Sequence, residues 1–128
     1  YGTVTAPAGT VVGNTDAQTL TNKRIDPRVA AETGTFTPDV STTDMVVVTG
    51  LAATCTINAP TGTPVQGTKL MFRIKDNGTT RSLTWNAIYR ACGVPLPTAT
   101  VVSKTMYVGM VYNSTDTKWD VVSLTQEA

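Results

Sequence analysis

Histidine is absent from this 128-residue sequence, which also has only two cysteines, Cys55 and Cys92. Without histidine there is no Ser-His-Asp or Cys-His catalytic arrangement, and the commonest protein ligand for zinc is missing. The two cysteines are far apart, and neither has a partner at the spacing of a metal or redox motif. We therefore expect two unpaired structural thiols and no metal site.

Paired carboxylates, another common catalytic arrangement, are not indicated either. The nine acidic residues fall mostly in expected turns, in the N-terminal segment or at the tail. A glycosidase, by contrast, needs two carboxylates that face one cleft. There is also no glycine-rich phosphate loop. The sequence thus predicts a protein that is not an enzyme and that uses no cofactor.

Charged residues make up only 15% of the sequence, and they nearly balance to a net charge of +1. Nucleic acid and anionic membranes are therefore not expected as principal partners. No apolar run approaches the roughly 20 residues of a membrane span, and no signal peptide is visible, so membrane insertion is not expected. Because the sequence begins at Tyr1 rather than Met, we interpret the chain as a fragment of a longer protein.

The first 34 residues differ from the rest and predict an extended N-terminal arm. Their large apolar side chains are few and dispersed, so the segment cannot bury enough surface to offset the entropy of ordering itself alone. We expect the arm to lie against the body or a neighbouring subunit, with Leu20, Ile25 and Val29 as its anchors and oligomer contacts.

Residues 35–128 predict a β domain. Thr and Val are abundant, both are β-branched, and Gly and Pro punctuate the chain at short intervals. The expected strands are 44–49, 54–58, 69–75, 81–85, 105–112 and 118–125, with 86–100 as loop or edge. The turn at Asp76-Asn77-Gly78 predicts a hairpin that joins the third strand to the fourth. The fold class expected is all-β, an antiparallel β-sandwich that resembles a jelly roll.

The last predicted hairpin is apolar on both faces. Met106 and Val108 oppose Tyr107 on one strand, and Trp119 opposes Val122 on the other. Half-buried antiparallel strands normally alternate apolar and polar residues, so these strands need a second cover. The arm or another subunit could supply it, and we expect an oligomer. Trp119 itself is expected in the core.

The most suggestive cluster for ligand binding follows Trp85. An aromatic side chain beside Asn and Arg is the usual means of stacking on a sugar ring while hydrogen-bonding its hydroxyls. The candidate ligand-binding residues are Asn86, Tyr89 and Arg90, with Asp76 and Asn77 as weaker members of a possible separate tip.

A structural role for the same residues is the alternative. Trp85 would then face the core, Tyr89 would pack under the segment 95–97, and Arg90 would cover apolar surface with its stem. In that case this loop binds nothing.

Two segments resemble a known family. The segment 19–29, TLTNKRIDPRV, preceded by GNTDAQ at 13–18, resembles a segment recurrent in bacteriophage tail, fibre and other virion proteins, where it precedes a β-rich terminal domain. The segment 73–85, RIKDNGTTRSLTW, with YVGMVYN at 107–113, KWD at 118–120 and the terminal QEA, is similar to that domain. The resemblance implies a module at the virion surface, on tail or head, that forms a homotrimer and contacts other virion proteins.

Three functions are compatible with these observations. The first is recognition of a host-surface saccharide by the terminal domain of a tail fibre or tail protein. The second is a capsid decoration, head-fibre or trimerisation domain with no host ligand. A free carbohydrate-binding module is the third, and the arm argues against it.

Overall fold

The computed structural model describes residues 24–128, which form eight β-strands. None of these residues is helical, so no helix there could cross a membrane. The all-β class expected from the sequence is confirmed. The strands are β1 (Val29–Glu32), β2 (Met45–Leu51), β3 (Cys55–Ile57), β4 (Lys69–Asp76), β5 (Leu83–Trp85), β6 (Tyr89–Ala91), β7 (Met106–Asn113) and β8 (Lys118–Gln126).

Six of the strands form one sheet in the order β1-β2-β4-β7-β8-β6, and β3 and β5 form a second, two-stranded sheet. We expected an antiparallel sheet from the sequence, but the larger sheet is mixed. Only β4–β7 and β7–β8 are antiparallel, whereas β1–β2, β2–β4, β6–β8 and β3–β5 are parallel. A parallel neighbour requires a crossover of about a dozen residues. The connections 33–44 and 52–68 provide that length.

The two sheets share one hydrophobic core. The inner face of the larger sheet contributes Phe72 and Trp119, and the smaller sheet covers it with Cys55, Ile57 and Leu83. Phe72 is the centre of an aromatic group: its ring lies 5.4 Å from that of Trp85 and 6.1 Å from that of Tyr89, both edge-on. Such edge-on pairs add to the stabilisation that burial supplies.

Strand β4 shows how the pattern of the sequence sets the orientation of side chains. Its residues alternate strictly between exposed and buried, so Leu70, Phe72 and Ile74 point into the core. Lys69 and Arg73 point to the opposite side, which we call the outer face. This alternation is the one that the sequence predicts.

The predicted hairpin at Asp76-Asn77-Gly78 is wrong, although the turn exists. Gly78 has a φ of 95°, a left-handed conformation that favours glycine. However, β4 already has β2 and β7 as its two neighbours in the sheet, so no position beside it remains for β5. The chain therefore leaves the large sheet, and β5 pairs with β3.

The last hairpin, β7–β8, is present as predicted. Its strands are antiparallel, with a bulge that lies next to Gly109 and Met110. Trp119 is 1% exposed, which confirms the prediction that it belongs to the core.

Strand β1 begins at Val29 and joins the edge of the large sheet, so the sheet includes residues from the segment expected to be the arm. The guanidinium of Arg28 holds this entry point. It donates two hydrogen bonds to the Asp44 carboxylate, at 2.7 and 3.0 Å, and a third to the carbonyl of Ser41. The hydrogen bonds that Arg28 donates to the carboxylate lower the pKa of Asp44 to about 2.

Candidate functional site

Tyr89 is buried in the core. It is 3% exposed, and its ring packs edge-on against Trp85 at 5.5 Å. The hydroxyl donates a hydrogen bond of 2.8 Å to the carbonyl of Asn58, and burial raises its pKa well above the ordinary value. A ring in this position offers no face for stacking on a sugar, so the binding role expected for Tyr89 is not available to it.

Arg90 is held by two carboxylates. Its guanidinium donates to both oxygens of Asp120, at 2.7 and 3.0 Å, and to Asp116 at 3.0 Å. Asn113 donates to Asp116 as well, at 3.1 Å. These contacts tie the edge strand β6 to β8 and to the β7–β8 turn, so most donors of Arg90 are already used inside the chain.

Asn86 is exposed, but its side-chain oxygen accepts a hydrogen bond of 3.0 Å from the backbone N–H of Ile88. This contact shapes the turn between β5 and β6. Trp85 donates its indole N–H to the carbonyl of Pro97 at 2.7 Å and packs on the core. The loop after Trp85 is therefore engaged within the chain. The contacts differ in detail from those of the structural alternative, because Trp85 contacts Pro97 and Arg90 forms ion pairs with aspartates.

Asp76 and Asn77 lie at the opposite end of the large sheet from Arg90. Across the sheet, Arg90 pairs with Asp120, Asp120 with Val111, and Val111 with Lys69. Arg90 is therefore level with the first residue of β4, whereas Asp76 is the last residue of that strand. The Asp76 carboxylate is buried, and the Asn77 side-chain oxygen accepts a hydrogen bond from Arg81 at 3.1 Å. The five candidate residues thus form two separate groups rather than one site.

The expected anchors of the arm are not buried by residues 24–128. Ile25 is 91% exposed and Val29 is 55% exposed. Leu20 lies outside the described residues. Ile25 and Val29 form an uncovered apolar projection at the edge of the large sheet.

The described residues leave the outer face uncovered. Among them, eight large apolar side chains are exposed, and four of these, Val29, Met71, Tyr107 and Val122, lie on this face. Residues that pair directly across strands point to the same side of a sheet. The pairs Arg73–Tyr107 and Met71–Gly109 therefore place cationic, aromatic and apolar groups side by side.

One end of the outer face carries a groove of about 500 Å³, which we call the outer groove. Its lining includes Met71, Gly109, Val111 and Val122, with Lys69 and Asp44 among its polar residues. Gly109 helps to keep it open, because a Cβ there would come within 2.4 Å of the Ser123 hydroxyl oxygen and 3.3 Å of the Met71 methyl group.

The other end carries a smaller depression of about 300 Å³, which we call the cationic pocket. It is lined by Val48, Thr49, Arg73, Lys75, Thr105 and Tyr107. Within residues 24–128, neither Arg73 nor Lys75 makes a salt bridge or a side-chain hydrogen bond. Two unpaired cations, two hydroxyls and one aromatic ring thus surround a concave space.

The sequence contains a signal for this pocket. The alternation along β4 places Lys69, Arg73 and Lys75 on one face, which is visible without a structure. The register that brings Tyr107 beside Arg73 is not visible, because it depends on which strand becomes the neighbour of β4.

Comparisons with known proteins do not assign the chain to a family. No family model matches the sequence, and neither the curated proteins nor the solved structures include a significant match. Within residues 24–128, no group of three or more acidic or cysteine side chains is placed to hold a metal ion.

Proposed function

We propose that this chain is a structural module of a bacteriophage particle, the β-rich terminal domain of a tail fibre or tail protein. It lies at the virion surface, assembles as a homotrimer and presents a site for host-surface saccharide. The resemblance of the segments 19–29 and 73–85 to virion proteins supports the location. The observation that supports self-assembly is the outer face, which residues 24–128 leave uncovered.

The outer face has the chemistry of a surface that a partner covers. Single exposed apolar side chains are ordinary on proteins, but a contiguous apolar patch indicates an interaction surface. Here Met71, Val111 and Val122 line one groove, and Val29 extends the apolar face on the side of β1.

A second copy of the chain is the partner that the described residues favour. The same chain carries both the outer groove and the apolar projection of Ile25 and Val29. Ile25 is 91% exposed and Val29 is 55% exposed. Contact between two different patches of identical chains is heterologous, and it closes into a ring when the rotation permits. Face-to-face pairing of two outer faces is disfavoured, because it would bring their rows of Lys69, Arg73 and Lys75 together.

The body is proposed to be a two-layered β-sandwich of mixed strand directions. Support comes from the single core that the β3–β5 sheet shares with the larger sheet. The antiparallel, jelly-roll form that the sequence suggests does not describe its four parallel strand pairs.

A decoration or trimerisation domain with no host ligand is the second candidate. The contacts of Tyr89 and Arg90 favour it, since the loop after Trp85 is engaged within the chain. The two functions differ in whether the assembled domain adsorbs to host cells.

The assembly is tested by Val122→Asp, which places a charge in the outer groove. Burying a valine side chain contributes roughly 1.5–3 kcal/mol, so the variant should weaken self-association about tenfold or more. Val65→Asp is the matched control, because Val65 is 70% exposed and lies outside the groove lining. Light scattering coupled to size exclusion gives the mass of each variant. Equal masses for both variants would contradict assembly through the groove.

The location is tested by electron microscopy of the parent phage with an antibody against residues 24–128. Labelling of the tail or its fibres is the expected result. Labelling of the head supports the decoration role, and unlabelled particles would exclude a position on the virion surface.

A further inference from the structure

We propose that the cationic pocket binds an acidic sugar unit, one that carries a carboxylate or a phosphate. The inference rests on the proposed function, because it names the saccharide chemistry for a host-recognition module. It moves the ligand from the loop after Trp85 to the outer face, where Arg73, Lys75 and Tyr107 meet.

The pocket lies where β4 and β7 pair without a bulge. Arg73 pairs directly with Tyr107 across β4 and β7, and Lys75 follows two residues later on the same face of β4. Successive residues on one face of a strand are separated by about 6.5 Å. The two cations and the ring therefore converge within the span of one sugar unit, on strands whose neighbours fix their positions.

Within residues 24–128, unpaired charge distinguishes these two cations from the arginines Arg28 and Arg90. Arg28 and Arg90 each donate to aspartate carboxylates, whereas Arg73 and Lys75 have no such partner in residues 24–128. The carboxylate of Glu127 accepts a hydrogen bond of 3.0 Å from the N–H of Thr105, which is the largest cause of its lowered pKa. The charge of Lys75 also lowers the pKa of Glu127. Lys104 also acts on Glu127, so the surroundings of the pocket keep a positive balance.

Each lining group has a role that an acidic sugar would use. The planar guanidinium of Arg73 suits bidentate contact with a carboxylate or phosphate, and Lys75 adds a second positive charge. Tyr107, which is 39% exposed, offers part of its ring to the apolar side of the sugar. Thr49 provides a hydroxyl for a hydrogen bond to the sugar. The volume of about 300 Å³ is at the small end for ligand pockets and suits a single unit.

The site is shallow and open, so binding to a single copy should be weak. Three copies in one assembly would raise the avidity for a polymeric saccharide without any new contact. The pocket lies at the opposite end of β4 from Lys69 and the outer groove, which leaves it accessible when the groove is covered.

The test is titration of the full chain, followed by amide NMR shifts, with three probes. Tetragalacturonate carries carboxylates, glucose 6-phosphate carries a phosphate, and maltotetraose is neutral. At least one acidic probe should bind and shift the amides of Arg73, Lys75 and Tyr107, whereas maltotetraose should not. Which acidic probe binds identifies the acid.

The variants assign the binding to the pocket. Arg73→Gln combined with Lys75→Gln should weaken binding of the acidic probe at least tenfold, and Tyr107→Ala should weaken it about threefold or more. Lys118→Gln is the matched control, because Lys118 lines neither the pocket nor the outer groove and its ammonium donates to the carbonyl of Ala87. Its affinity should stay within about twofold of the parent. Circular dichroism melts verify that each variant is folded.

Equal affinity in the double variant, equal binding of maltotetraose, or no binding of either acidic probe would overturn the inference. The mass of the chain measured in the same samples separates this result from the proposed function. A trimer that binds neither acid leaves the assembly intact and removes the pocket, whereas a monomer that binds an acid retains the pocket and removes the assembly.

Discussion

Asp76 is the acidic side chain among residues 24–128 that is most deeply buried, at 4% exposure. Its carboxylate accepts hydrogen bonds from the hydroxyl of Thr100 at 2.6 Å and from the N–H groups of Ser103 and Gly78, at 2.9 and 3.0 Å. These bonds, with that of Thr100 the largest contribution, hold its pKa below the ordinary 3.8. The side chain therefore joins the end of β4 to the loop that precedes β7.

Asp76→Asn should lower the free energy of unfolding by about 1–3 kcal/mol at neutral pH, because it replaces a charged acceptor of three hydrogen bonds. The folded pKa lies below the unfolded one, so this stability is present above pH 3.8 and is lost as the pH falls through the folded pKa. Urea unfolding at pH 7 and at roughly pH 2–3 measures the difference between parent and variant. Asp26→Asn, at an exposed ion pair, is the control and should change little. A difference that does not shrink in acid would contradict this account.

The two cysteines have opposite environments. Cys55 is fully buried, its thiol donates to the carbonyl of Gly34 at 3.3 Å, and burial raises its pKa to about 11. Cys92 is exposed, and the two thiols are not bonded to each other, as the sequence suggests.

Iodoacetamide at mildly alkaline pH should therefore modify Cys92 and leave Cys55 intact in the native protein, because only the thiolate reacts. Mass spectrometry of peptides from native and urea-unfolded samples gives the site and extent of modification. Both cysteines should react in urea. Equal modification of Cys55 in the native state would show that the core around it opens readily.

At the scale of elements, the short edge strand β6 depends on Arg90. Only three residues pair with β8, and the guanidinium adds contacts to Asp120 and Asp116. Asp120 is largely buried, and its hydrogen bonds from Arg90 lower its pKa.

Arg90→Gln should accordingly loosen β6 without unfolding the sheet. Hydrogen–deuterium exchange should rise in Tyr89–Ala91 and in the β7–β8 turn, while β4 keeps its protection. Arg73→Gln, on the outer face without an internal partner, is the control and should leave β6 unchanged. Uniform acceleration across all strands would mean that Arg90 acts on the global stability rather than on the edge.

The elements that sequence patterns predict well are those whose partners are close in the chain or whose alternation is strict. Strand β4 alternates without exception, and β7–β8 are joined by a short turn. Strand β1 is short and lies in the segment expected to be the arm, so its pattern gives no comparable signal. The parallel pairing of β2 with β4 depends on competition between distant strands, which a local window does not contain.

The candidate site divides in the same way. The row of cations on β4 can be predicted from the sequence, because side chains along a strand alternate between its two faces with a period of two residues. The burial of Tyr89 is not readable, since it depends on Phe72 and Trp85 arriving from two other strands. The sequence pattern of an aromatic residue beside Asn and Arg is the same whether the ring faces solvent or the core. The pattern alone therefore does not separate a sugar site from a buried ring.

At the scale of the whole molecule, the described residues cover the large sheet on its inner face and leave its outer face open. The inner face meets the β3–β5 sheet, whereas the outer face keeps the outer groove at one end and the cationic pocket at the other. This separation allows one face to support both the proposed assembly and the proposed recognition. The proposed assembly requires copies of the chain to meet through the groove, and the pocket gains avidity from it.

Sedimentation equilibrium of the full chain at micromolar concentration tests that requirement most directly. The account predicts a species with three times the 13.5 kDa mass of one chain. It also predicts that Val122→Asp shifts this species towards lower mass while Val65→Asp does not. A folded species of 13.5 kDa across the whole concentration range would contradict the assembly.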